Sequence, residues 1–110
     1  MNNGGPIEIG PQQLEQALAG TTPPRLLDVR EPWEIEVARF EKSIDIPLGE
    51  LMRRVGELPH DVPLVVVCHH GGRSLQAARY LRTQGFATAV SLAGGINEWA
   101  RQIDPSIALY

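Results

Sequence analysis

The run Leu64-Val65-Val66-Val67-Cys68-His69-His70-Gly71-Gly72-Arg73-Ser74 decides the fold. Its first four residues are apolar on both faces and follow Pro63, the pattern of a central parallel strand covered by helices on each side. A glycine pair interrupts the strand. From Gly72 to Gln84 the residues Leu75, Ala78 and Leu81 fall on one stripe, with Gly85 as a stop, so a helix is predicted there.

Outward from this run the same alternation repeats. Ile7-Glu8-Ile9 reads as a short strand, and Pro11-Gln12-Gln13-Leu14 opens a helix that Gly20 stops. Arg25-Leu26-Leu27-Asp28-Val29 is a strand after the Pro23-Pro24 breaker, followed by a helical turn at Pro32-Trp33-Glu34. Ser43 to Ile46 is a strand, Leu51, Met52, Val55 and Leu58 have helical spacing, Ala87 to Leu92 is a strand, and Ile96 to Gln102 is a helix after Gly94-Gly95. Such alternation predicts an open α/β fold with a mostly parallel sheet, in which ligands bind beyond the carboxyl ends of the strands. Trp33 and Trp99 are expected to be packing anchors.

The chain has 110 residues, 43% of them hydrophobic and 21% charged, which predicts one compact domain after a flexible segment over residues 1–5. A single cysteine, Cys68, excludes an internal disulfide, a CxxC redox pair and cysteine-rich zinc sites. The first residues carry no basic and apolar leader, and the longest apolar run, Leu64 to Cys68, is too short to span a bilayer. A cytoplasmic protein with no membrane partner is expected. The net charge of -3 gives no reason to expect a nucleic-acid partner. All thirteen acidic residues lie outside the stretch from Val62 to Asn97, which holds His69, His70, Arg73, Arg79 and Arg82. Arg79 and Arg82 read as a solvated helix face, whereas Arg73 is placed to meet an anion.

Cys68 stands at the carboxyl end of the most apolar strand, where this architecture puts its ligands. Gly71 and Gly72 permit positive φ, so backbone N–H groups can turn inward as an anion nest, and the helix N-terminus and Arg73 add positive charge. A cysteine attacks as its thiolate, a minor species of an ordinary thiol at neutral pH, so converging donors are what a nucleophile needs. The competing reading is an inert buried thiol. His69 and His70, with no carboxylate nearby in sequence, are open between a metal role and loop, substrate-contact or local-charge roles. Gly94-Gly95 is open between a loop facing the same crevice and a plain turn.

Four stretches together resemble the rhodanese domain in its single-domain sulfurtransferase form. They are Leu26-Leu27-Asp28-Val29-Arg30-Glu31, Ile44-Asp45-Ile46-Pro47-Leu48, Val65 to Ser74, and Leu92-Ala93-Gly94-Gly95-Ile96-Asn97-Glu98-Trp99. The resemblance covers nearly the whole chain from Ile7, with residues 6–110 as the domain. It implies a three-layer α/β/α sandwich around a mostly parallel sheet of about five strands. It also implies a catalytic Cys68 carrying a persulfide, cradled by His69, His70, Gly71, Gly72, Arg73 and Ser74. Asp28 and Arg30 fall on a family motif close to the active loop, where a structural ion pair or a capping role is the alternative. Ala38-Arg39-Phe40-Glu41-Lys42-Ser43 departs from the family's Gly-His-Ile-Pro-Gly-Ala type of segment. The tail Ile103-Asp104-Pro105-Ser106 looks like the end of rhodanese domains attached to enzymes that activate sulfur-carrier proteins.

The implied activity moves sulfane sulfur from a small anionic donor such as thiosulfate to cyanide, a thiol or a sulfur-acceptor protein, with no metal or organic cofactor required. Three rivals differ in what they need. A cysteine phosphatase or arsenate reductase of related fold would separate cysteine and arginine by five residues to wrap a tetrahedral oxyanion, and here four intervene. A partner-binding module or a redox sensor would use the same pocket without turnover.

Overall fold

The computed structural model describes residues 5–110. The flexible segment expected over residues 1–5 lies outside them except for Gly5, whose carbonyl accepts from Arg82 Nη1 at 3.0 Å. The elements are β1 (Glu8–Ile9), α1 (Pro11–Leu18), β2 (Arg25–Asp28), α2 (Pro32–Val37), β3 (Ile44–Asp45), α3 (Leu51–Arg54), β4 (Leu64–Val67), α4 (Gly72–Thr83), β5 (Val90–Leu92) and α5 (Gly95–Gln102). Short 3₁₀ turns at Leu48–Glu50 and Val55–Glu57 flank α3. The five strands form one sheet in the order β1-β5-β4-β2-β3, every pair parallel. Among the described residues no helix is long and apolar enough to cross a membrane.

Period two along β4 divides the core. Leu64, Val66 and Cys68 join Leu51, Ala77, Ala78 and Leu81 on the face covered by α3 and α4. Val65 and Val67 join Leu14, Ile96 and Trp99 on the face covered by α1 and α5. All four β4 side chains are buried, each stabilising the fold by about 1.5–3 kcal/mol. The same parity aims the Cys68 side chain toward α4, so the strand pattern that builds the core also points the sulfur at the N-terminus of a helix.

Several local expectations are corrected. β5 is shorter than Ala87 to Leu92 because the chain turns first, with Ala89 N donating to Phe86 O at 3.1 Å. Trp99 packs in the core as expected, but Trp33 is 61% exposed and lies T-shaped to the Tyr110 ring, with centroids 6.2 Å apart. Arg82 does not belong to a solvated face: its guanidinium ties α4 to the carbonyls of Ala89, Gly5 and Pro6. In the atypical segment, Lys42 takes φ 58°, the left-handed region that glycine adopts freely. The position aligns with the second glycine of the family segment quoted above, and here a lysine bears the steric cost of that conformation.

Candidate active site

β4 ends at Val67, and Cys68 follows with its side chain fully buried. Its Sγ accepts hydrogen bonds from the backbone N–H of Gly71 at 3.0 Å and of Ser74 at 3.3 Å, and lies 3.3 Å from Ser74 Oγ. Gly71 makes this possible. It caps α4 with φ 107°, a conformation that an L side chain resists, and a Cβ there would lie 3.0 Å from Gly94 N. Ser74 Oγ is fixed in turn at 2.7 Å from the buried Ser91 Oγ on β5, and can also donate to Gly71 O at 3.2 Å. The sulfur is thus enclosed, yet two peptide hydrogens converge on it at the start of a twelve-residue helix.

The turn before α5 closes the other side. Ile96 N donates to Cys68 O at 2.8 Å and Asn97 N to His69 O at 3.3 Å, so the first turn of α5 holds the backbone of the cysteine loop. Gly94-Gly95 is therefore both the start of a helix and a close contact of the loop.

The remaining loop side chains make a second tier. His69 stacks on His70 with ring centroids 3.7 Å apart and on Tyr110 at 3.8 Å. Its Nε2 meets the Tyr110 carbonyl, and Asn97 Nδ2 reaches His70 Nε2 at 3.3 Å. Burial holds His69 below its ordinary value, with His70 and Arg73 acting in the same direction against the opposing pull of the Tyr110 carbonyl and Glu34. Among the described residues no group of three potential metal ligands includes these histidines.

Arg73 does not reach into open solvent for an anion. Its Nη1 and Nη2 donate to Glu34 Oε1 and Oε2 at 2.6 and 2.8 Å, a bidentate pair in which the Glu34 residue is 4% exposed. Glu34 lies on the first turn of α2, where its carboxylate also accepts from Glu31 N at 3.0 Å and from the Tyr110 hydroxyl at 2.8 Å. Tyr110 accepts from Arg30 Nη1 at 2.9 Å. Arg30 is wholly buried and donates through Nε and Nη2 to Asp28 at 2.9 and 2.7 Å. Asp28 pairs with Val67 across β2 and β4, so the Asp28–Arg30 ion pair stands beside the cysteine loop and connects to Arg73 through Tyr110 and Glu34. The structural ion pair and the closeness to the loop, set out as alternatives, occur together.

Glu34, Tyr110, Asn97 and Ser91 belong to this site without having been singled out in the sequence. Glu34 carried a signal, since a glutamate two residues after Pro32 suits the third position of a helix. The Arg73 guanidinium lowers the Glu34 carboxyl to about 2, so its contribution to stability is complete above about 4.5 and is lost as the pH falls toward 2. Unfolding free energies from urea titrations at pH 5 and pH 3 are expected to differ by about 1 kcal/mol through this group, a value already discounted because Arg73 is one-third exposed, and by less in Glu34→Gln. Equal slopes in the two proteins would refute the assignment.

Comparison with known proteins identifies the family. The sequence matches the Rhodanese-like domain family over residues 10–102. It is 38% identical over 101 residues to a sulfurtransferase of Allochromatium vinosum, covering 92% of this chain and 94% of that one. It is 31% identical over 96 residues to an adenylyltransferase and sulfurtransferase of Ogataea parapolymorpha, covering 86% of this chain but 25% of that longer protein. A crystal structure of a rhodanese-related protein from Thermoplasma volcanium superimposes with a TM-score of 0.82 at 32% identity, over 94% of this chain and 98% of the other. A lone thiol held by loop amides at the end of the central strand, on a five-stranded parallel sheet, is thus found in a chain that belongs to the rhodanese-like domain family, among sulfurtransferases.

Proposed function

We propose that this chain moves sulfane sulfur from a donor such as thiosulfate to a thiophilic acceptor such as cyanide or a thiol, through a persulfide on Cys68. The observation that carries the reading is the convergence of the Gly71 and Ser74 N–H groups on Cys68 Sγ. Donors placed there can hold the negative charge that moves between the sulfur atoms during transfer.

The reaction has two displacements. Cys68 thiolate attacks the outer sulfur of thiosulfate, a new S–S bond forms, and the old one breaks with its electron pair leaving on sulfite. The Cys68 persulfide then rests in the loop from His69 to Ser74. Cyanide or a thiolate attacks its outer sulfur, and the bond to Cys68 breaks to return the thiolate. The charges balance in both steps without a metal or an external redox partner. A protein thiol is a further class of acceptor, since the second displacement needs only a thiolate. A lone reactive thiol also suits a reducing compartment such as the cytosol.

Intact-mass measurement tests the cycle. Incubation with thiosulfate is expected to add one sulfur atom to the chain, and cyanide is expected to remove it with release of thiocyanate. A mass unchanged by thiosulfate and by a hydropersulfide alike would sink the reading.

A further inference from the structure

Arg73 is the cation nearest the start of the cysteine loop by sequence, and two of its five N–H donors are committed to a carboxylate. Both terminal nitrogens are bound by the two oxygens of one carboxylate. That carboxylate cannot swing aside cheaply, because Glu31 N and the Tyr110 hydroxyl hold its oxygens as well, and Tyr110 is itself fixed by Arg30 and by stacking on His69. The cation that sequence suggested for an incoming anion therefore arrives already neutralised by a buried anion.

Resting on the sulfurtransferase reading above, we infer that Glu34 is a specificity-determining residue: it screens the loop against oxyanion donors and favours hydropersulfides, R–S–SH, whose leaving group bears no oxyanion. Thiosulfate is a dianion, and any use it makes of Arg73 means sharing that cation with the Glu34 carboxylate or displacing it. A hydropersulfide needs neither. Cys68 thiolate attacks its terminal sulfur, the S–S bond of the donor breaks, and the electron pair leaves on R–S⁻, giving Cys68–S–SH with charge conserved. Thiosulfate stays chemically competent in this scheme, with weak capture rather than a blocked transfer. Glu34 acts through Arg73 and touches no reacting atom.

The test compares second-order rates of sulfur loading, read by intact mass, for wild type, Glu34→Gln and Glu34→Asp. The donors are thiosulfate and an alkyl hydropersulfide carrying no carboxylate, at equal ionic strength. The ratio of thiosulfate to hydropersulfide loading is expected to rise about tenfold or more in Glu34→Gln, through the half-saturating concentration of thiosulfate rather than its limiting rate, and to stay near the wild-type ratio in Glu34→Asp. An unchanged or lower ratio in Glu34→Gln would overturn the inference while leaving the sulfurtransferase reading intact. Loading from neither donor in any of the proteins would overturn both. A measurement on wild type alone covers a variant that fails to fold: inert sulfate is expected not to slow loading from the hydropersulfide, and competitive slowing by sulfate would refute the screen.

Discussion

Cys68→Ser is expected to abolish sulfur loading and to lower thiocyanate formation by about 10³-fold or more, while the protein stays folded. Serine is close to isosteric, and its Oγ can accept from the Gly71 and Ser74 N–H groups that now meet the sulfur. What serine cannot do is leave as a weakly basic anion from a bond to sulfur, so neither displacement has a route through it. Cys68 is also a fully buried member of the core on the α4 side of the sheet, which is why the change separates two roles. A cysteine kept for packing would show its loss in the melting temperature and leave turnover in place. A cysteine that carries sulfur shows the reverse. Thermal melting and thiocyanate release from the same preparation decide between them, and persistent turnover in Cys68→Ser would move the chemistry away from this residue.

The cysteine loop was legible because its parts are contiguous. Strand, thiol, glycines, arginine and helix follow one another from Leu64 to Ser74, and each has a local reason to stand where it does. The second tier was not legible because it is assembled from far apart. Glu34 and Arg73 are 39 residues apart, and Glu34 and Tyr110 are 76 apart. The stretch from Val62 to Asn97 is free of acidic residues along the chain, yet the register of β2 beside β4 brings Asp28 and the start of α2 against the cysteine loop. Freedom from acids in sequence therefore did not survive as freedom in space, and it is this that changes the reading of Arg73 from a waiting cation to a paired one. Trp33 shows the opposite error. Its size predicts burial, but α2 turns the neighbouring Glu34 inward to meet Arg73 and leaves the indole outside. The helix thus spends its inward face on electrostatics where hydrophobicity alone would put the tryptophan.

Gly95→Ala is expected to destabilise the fold by about 3–5 kcal/mol and to abolish sulfur loading with it, although residue 95 lies outside the cysteine loop. Two costs act together. Gly95 has φ 65°, where a Cβ crowds its own backbone by roughly 1 kcal/mol. That Cβ would also lie 2.5 Å from Cys68 O and would overlap the His69 carbonyl, both of them backbone atoms with no rotamer to yield. Relief must come from moving the first turn of α5 away from the end of β4. The same movement breaks the bonds from Ile96 N and Asn97 N to those two carbonyls, and an unsatisfied buried carbonyl costs about 1–3 kcal/mol. For a domain of this size such a loss lowers the melting temperature by roughly 15–30 °C. Gly72→Ala is the matched control, since a Cβ there meets nothing within 4 Å and the residue opens α4 without positive φ. Its melting temperature is expected to stay within a few degrees of wild type, on the order of 0.5 kcal/mol or less. If Gly95→Ala melted as Gly72→Ala does, the carbonyls of Cys68 and His69 would not be held by α5 as described. The thiol would then owe its placement to the loop alone, and the packing of the fold would have no part in aiming it.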